Sequence, residues 1–208
     1  MRNRLITELG KLHKMPDFSE FKQFEKAFAD LFDLTRDKEN ELAHIYSKSS
    51  EFIMDVEGDN EKIVFLDEHK ERIRRYEDLS LISVHNHYNH SPPSIHDFAF
   101  LLIQNKCQSS CVITPSGDVY VAKKKEGHIS QWNDEKTKTM LKEIFVVIAP
   151  DKAAQKILER VLDSIDVSFS RRSIHSIYRT IKICALYECF VFVCDKFKLN
   201  CFPRSSDV

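Results

Sequence analysis

Two histidines and an aspartate between residues 85 and 97 form the pattern with the clearest chemical potential. His85 and His87 lie one residue apart at the end of an apolar run, and Asp97 follows after a short Pro-containing loop. A β-strand directs residues i and i+2 to the same side, so both imidazoles can face one centre. Asp97, one turn into the next predicted helix, can complete a three-ligand set around a divalent metal ion with one position left open. An open position is typical of a catalytic rather than a structural zinc site.

The same residues also have plain structural interpretations. A lone H-x-H can be two solvated imidazoles at a strand end, and Ser94 followed by Asp97 is typical of a helix N-cap. Neither interpretation explains an apolar strand that leads two same-side histidines directly into that cap, so the combination favours a metal site. Adjacent helical residues diverge by about 100°, which makes it difficult for His96 to face the same centre as Asp97. His96, and His90 in the loop, are therefore assigned to the surroundings of the site or to the surface.

The bulk composition is that of a folded protein without a general affinity for polyanions. Of the 208 residues, 42% are hydrophobic and 30% are charged, which suffices for a sizeable core and argues against disorder. The formal net charge is −1, so nothing global favours nucleic acid or an anionic membrane as a partner. With four glycines in the chain, a glycine-rich phosphate-binding loop is also disfavoured.

The cysteines and the N-terminus bear on the compartment. The six cysteines include no C-x-x-C pair, and the first residues lead into no apolar signal core, which favours free thiols in a reducing environment. The longest apolar run, 183–194, is interrupted by Glu188 and is too short to span a bilayer. The sequence therefore predicts a soluble cytoplasmic protein.

Hydrophobic periodicity and turn residues divide the chain into three parts. A helical segment, 1–39, is expected to pack on a core of residues 40–125, and 126–208 is expected to be a mainly helical C-terminal extension. Helices are predicted near 17–36, 67–76, 94–106, 134–147, 151–163 and 170–186. Strands are predicted at 42–46, 52–56, 62–66, 79–87, 110–114, 119–123 and 190–195.

The motif residues resemble the JAMM metalloproteases, also called JAB or MPN-plus domains. That family has an upstream Glu, then H-x-H, a short loop and S-x-x-D, which is similar to His85-Asn86-His87 and Ser94-Ile95-His96-Asp97 here. The H-N-H form followed by P-S-x-x-D looks most like the bacterial and phage-associated branches. In one departure, six residues separate His87 from Ser94 where the commonest pattern has seven, and Tyr88 stands where Pro is usual. The resemblance covers roughly residues 40–125.

The resemblance implies a fold, a cofactor and roles for particular residues. It implies a JAB/MPN-like mixed β-sheet flanked by helices, with Zn²⁺ held by the two histidines and Asp97. Glu41, at the start of the first strand, is the expected general base, and Glu51 and Glu57 are its rivals. Ser94 is expected to stabilise the oxyanion. The implied reaction is metal-assisted hydrolysis of a peptide or isopeptide bond, with a protein or peptide substrate that includes ubiquitin-like modifiers.

Two functions from other classes stay open. A catalytically inactive MPN-like scaffold would bind other proteins without zinc. A His-Asn-His type nuclease is suggested by residues 85–87 alone, but such nucleases usually have a basic surface and this chain is nearly neutral. The oligomeric state is not predicted.

Overall fold

In the part of the chain that the structure describes, a six-stranded mixed β-sheet has helices on both faces. The structure, a computed structural model, describes residues 1–58, 63–125, 134–148 and 171–203, together with 152, 155–157 and 159. The strands are β1 (Leu42–Ser47), β2 (Phe52–Glu57), β3 (Leu81–Asn86), β4 (Cys107–Ile113), β5 (Val119–Lys123) and β6 (Asn200–Phe202). The described helices are α1 (Arg2–Lys14), a 3-10 helix (Pro16–Phe24), α2 (Glu25–Thr35), α3 (Asp67–Arg74), α4 (Ile95–Ile103), α5 (Asp134–Ile148) and α6 (Arg171–Lys196).

The strand order places β3 near the middle of the sheet. The order is β2-β1-β3-β4-β5-β6. β3 pairs antiparallel with β1 and parallel with β4, and the other neighbours are antiparallel. Because parallel neighbours need a crossover connection, the chain between β3 and β4 includes a helix, α4. The expected α/β class, a mixed sheet flanked by helices, is confirmed at this level.

The N-terminal helices cover one face of the sheet with a layer of phenylalanine. The helix predicted over 17–36 consists of two elements, because Phe18, Phe21 and Phe24 repeat every three residues. That period keeps all three on one side of a 3-10 helix, which has three residues per turn. Pro16 occupies its first position, where a missing N–H costs nothing. The buried members of this layer are Leu5, Leu9, Leu12, Phe18, Phe21, Phe24, Phe28, Leu31 and Phe32.

The other face carries α4, α5 and α6. The strand predicted at 190–195 is wrong, since these residues belong to α6. The aromatic and β-branched residues there have strand propensity, but burial recurs at helical spacing and decides the outcome. The buried residues here are Cys189, Phe190, Val193 and Cys194 in α6, and Phe197 directly after it. Beyond them the chain returns as β6, which was not predicted and pairs with β5.

The strand predicted at 62–66 is also wrong where the structure describes it. Residues 63–66 make one isolated β-bridge, between Ile63 and Gly58, and residue 62 lies outside the described part. The helix predicted at 151–163 falls mostly outside it too. The other predicted elements of 40–125 are present, with boundaries shifted by at most three residues.

Two observations bear on the expected environment of the protein. Within the described ranges, every helix is too short or too polar to serve as a membrane span. The six cysteines, all of them in described residues, form no disulfide bonds.

Candidate metal centre

The three predicted metal ligands converge where β3 ends and α4 begins. Strand alternation directs His85 and His87 to the same face of the sheet, and Asp97 in the first turn of α4 lies opposite them. His85 Nε2 is 3.2 Å from His87 Nε2 and 2.8 Å from Asp97 Oδ1. His87 Nε2 is 3.3 Å from Asp97 Oδ2. The two imidazoles are 4% and 3% exposed, so the cluster is nearly closed to bulk solvent.

These distances fit ligands that share one ion. Metal bonds of about 2.1 Å in tetrahedral geometry place neighbouring ligand atoms about 3.4 Å apart. Two buried imidazole nitrogens at 3.2 Å repel each other if both lone pairs face inward, and a cation between them removes this repulsion. The ligand atoms of His85, His87 and Asp97 all lie within 4.8 Å of one another, so the cluster could hold a metal ion.

Burial and charge have opposite effects on the pKa values of this cluster. Burial opposes ionisation of Asp97, but the adjacent His85 and His87 outweigh it and hold the pKa of this carboxyl well below its usual value. Burial likewise lowers the pKa of His87, yet the Asp97 carboxylate, with a smaller contribution from Glu41, raises it to about 9. The site therefore favours positive charge between these groups, as a cation site must.

Ser94 caps α4 and orients the Asp97 carboxylate at the same time. The Ser94 backbone N–H donates to Asp97 Oδ2 at 2.5 Å, and Ser94 Oγ accepts a hydrogen bond from the His96 N–H at 3.2 Å. This is a capping box, in which the residue at position N3 bonds back to the cap. The helix-cap and metal-ligand interpretations of S-x-x-D are therefore compatible, because the cap aims the carboxylate at the histidines.

A contact to the loop fixes the ring of His87. Its Nδ1 atom is 3.0 Å from both the backbone oxygen and the Oγ of Ser91. A proton on Nδ1 donates to the Ser91 carbonyl oxygen and leaves the Nε2 lone pair for a metal ion. This contact could not be predicted from the sequence, since it depends on how the loop between β3 and α4 folds back.

Glu41 lies next to the cluster, unlike its two rivals. Ala43 pairs with His85 across β1 and β3, and continuing this register by two residues brings Glu41 opposite His87. Glu41 Oε1 is 3.8 Å from His87 Nε2, and the side chain is 8% exposed. Glu51 and Glu57 are both exposed, Glu51 just before β2 and Glu57 at its end. Of the three glutamates considered, Glu41 is the one that the structure brings to the histidines.

A small cavity of about 70 Å³ opens beside the cluster. One of its walls is apolar, since Phe65 and Phe100 stack at 4.6 Å with nearly parallel rings. Two hydroxyl residues of neighbouring strands, Ser83 and Ser110, also line it, and among the described residues Ser110 Oγ has no hydrogen-bond partner. One water needs about 15 Å³ of cavity volume, so the cavity has room for an ion and more than one water. Its other lining residues include Glu41, His85, Ser94, His96 and Asp97.

The remaining two histidines of this region lie outside the cluster. His90 Nδ1 is 3.0 Å from Ser116 Oγ, in the turn between β4 and β5. His96 is exposed and contributes to the rim of the cavity. Ser83 could have been found from the sequence, because it precedes His85 by two residues on the same strand face. Ser110 could not, because its place next to Ser83 depends on the parallel pairing of β3 with β4.

Comparison with protein-family models, with curated proteins and with solved structures gives no match. The interpretation of the site therefore depends on its own residues and their geometry.

Proposed function

We propose that this protein is a zinc-dependent hydrolase of the JAMM type that cleaves a peptide or isopeptide bond. The observation that carries the proposal is the convergence of His85, His87 and Asp97, with the buried Glu41 carboxylate 3.8 Å from the nearer imidazole. A structural zinc site would need a fourth protein ligand. Within the described residues the cluster offers three, with a cavity beside them.

The donor chemistry favours zinc over the harder cations. Two imidazoles and one carboxylate are a common catalytic zinc set, whereas Mg²⁺ and Ca²⁺ prefer shells of oxygen ligands. Iron is a competitor for the same donors, because two histidines and a carboxylate also bind non-haem Fe²⁺. Because the acidic side chain of Glu41 is placed to transfer protons, as hydrolysis requires, we favour zinc over iron.

Different residues of the chain can perform the separate steps of hydrolysis. A bound zinc ion would act as a Lewis acid toward water and the scissile carbonyl. Glu41 takes a proton from the attacking water as its oxygen bonds to the carbonyl carbon, and delivers that proton to the leaving nitrogen when the C–N bond breaks. Ser94 Oγ, which accepts from the His96 N–H, still has its own proton to donate to the developing oxyanion. One such donor is typically worth about 3 kcal/mol in the transition state.

The proposed substrate is a protein with an extended tail, and ubiquitin-like modifiers are the class that the motif resemblance favours. Because the cavity is small, the scissile bond must belong to a narrow peptide segment that can enter it, and not to a folded surface. The stacked Phe65 and Phe100 give that segment an apolar contact next to the metal ligands.

The proposal is tested by metal content and hydrolysis in parallel. We expect one zinc per purified chain, and cleavage of a ubiquitin-like protein carrying either a peptide-linked or a lysine-linked reporter. Glu41→Gln should keep the metal and lose hydrolysis, and His87→Ala should lose both. Glu51→Gln is the matched control, an exposed glutamate whose change should alter neither. Full activity of Glu41→Gln refutes the assigned base, and a metal-free, inactive wild-type protein favours the scaffold.

A further inference from the structure

Asn86 lies between the two histidine ligands in the sequence, but its side chain serves a different purpose. Strand alternation directs it to the opposite face of the sheet from His85 and His87. It is 2% exposed, and both ends of its amide are bonded. Leu42 N–H donates to Asn86 Oδ1 at 2.7 Å, and Asn86 Nδ2 donates to the Asn40 backbone oxygen at 3.0 Å.

The two backbone groups that Asn86 binds flank Glu41 on either side. The last paired residues of the β1–β3 ladder at this end are Ala43 and His85, so Glu41 lies beyond the regular pairing with β3. On the other side, the Gly58 N–H donates to the Glu41 carbonyl oxygen at 2.9 Å. The Asn86 amide thus replaces the missing ladder bonds and ties the Glu41 segment to the strand that carries the histidines.

We propose that Asn86 is a positioning residue that holds the Glu41 carboxylate next to the metal ligands. This inference rests on the proposed hydrolytic function. An amide suits the task because it supplies one acceptor and one donor at once, in the spacing that the Asn40 carbonyl and Leu42 N–H require. Aspartate keeps the acceptor but has no donor when ionised, and alanine has neither.

The same geometry predicts which properties should change and which should not. The histidines are held by β3, by Asp97 and by Ser91, none of which bonds to the Asn86 side chain among the described residues. Asn86→Ala should therefore keep its metal. A shift of about 1 Å in a reacting group can cost about 100-fold in rate, so we expect kcat to fall by about that factor with KM little changed.

The test compares Asn86→Ala and the isosteric Asn86→Asp with Glu41→Gln and with the double variant Asn86→Ala/Glu41→Gln. If Asn86 acts through Glu41, the double variant is no slower than Glu41→Gln alone. Amide hydrogen exchange gives a readout that does not depend on activity: exchange at Leu42 should accelerate in Asn86→Ala. Asn105→Ala, a change at an exposed asparagine, is the control and should leave rates and exchange unchanged.

The outcomes separate this inference from the proposed function. Wild-type kcat in Asn86→Ala, or losses that multiply in the double variant, would overturn the positioning role. If Asn86→Ala does not fold, Asn86→Asp is judged by the same criteria. If the wild type binds metal but hydrolyses nothing, the hydrolase proposal fails. The ligand-field spectrum of the Co²⁺-loaded protein then decides: Asn86→Ala must reproduce the spectral change caused by Glu41→Gln, and an unchanged spectrum refutes the inference.

Discussion

The raised pKa of His87 predicts an unusual pH dependence of metal affinity. A metal ion needs the neutral imidazole, but the Asp97 carboxylate and Glu41 hold a proton on this ring up to a pKa of about 9. Below that pH the metal must displace the proton, so apparent affinity should fall as pH falls. A histidine of ordinary pKa, near 6.5, would show no such dependence above pH 7.

The magnitude follows from the size of the shift. At pH 7, two units below a pKa of about 9, about one ring in 100 is neutral, so apparent affinity should be about 100-fold weaker than at its plateau. This corresponds to about 3 kcal/mol. Between pH 7 and pH 8.5, affinity should rise about tenfold per unit, and each metal ion bound should release close to one proton from the protein.

The assay is a competition titration of zinc against a chromophoric chelator of known pH dependence, with calorimetry in two buffers of different ionisation enthalpy to count protons. Glu41→Gln removes one of the charges that raise the pKa of His87, so its plateau should begin at lower pH. His90→Ala, a change to a histidine outside the cluster, should leave the slope unchanged. An affinity that is flat between pH 7 and 8.5, or binding without proton release, would refute the reasoning.

Three further outcomes follow from the structure. Zinc at 100 times its Kd should stabilise the folded protein by about 2.7 kcal/mol and raise Tm by about 5–10 °C, and His85→Ala should abolish the rise in a thermal melt. Phe21→Ala should lower the free energy of unfolding by about 3–5 kcal/mol in a urea titration, because Phe21 is fully buried among three other rings. The exposed Cys184 should react first with a thiol reagent, whereas Cys107 and Cys111, whose pKa values are raised by burial, should react only on unfolding.

Each of these three predictions has a control variant and a result that would contradict it. Asp78→Asn, which changes a carboxylate outside the cluster, should keep the zinc-dependent rise in Tm, and a rise that survives in His85→Ala would mean that zinc binds elsewhere. Phe52→Ala, at a half-exposed ring, should cost far less than Phe21→Ala, and equal costs would contradict the buried N-terminal layer. Cys184→Ser should remove the fast thiol reaction, and rapid labelling that persists would show that another thiol is accessible.

The features that could be predicted from the sequence are those that depend on a few neighbouring residues. Strand alternation at His85 and His87 and the capping box from Ser94 to Asp97 are each complete within a few residues, so their geometry could be anticipated. Glu41 could be named as a candidate, but its choice over Glu51 depended on the order of elements rather than on any local signal.

What escaped prediction depends on long-range packing. The amide of Asn86 meets backbone groups that are 44 and 46 residues away, and no local pattern announces such a contact. In 190–195 the residue types favour a strand. The buried residues recur at helical spacing, but this becomes evident only when the surface against which the segment packs is known. The 3-10 geometry of Pro16–Phe24 follows the three-residue spacing of its rings, a period that is easily taken for an α-helix.

The packing of α6 has a consequence for the metal centre. Phe190 of α6 lies 5.9 Å from Phe98, ring to ring, and Phe98 is the immediate neighbour of Asp97. Among the described residues α6 contributes no ligand to the cluster, but it packs against α4, the helix that carries Asp97. If the cluster binds a metal ion, a change of Phe190 that loosens α4 should weaken that binding, so the chain that supports the site extends well beyond the thirteen-residue motif from His85 to Asp97.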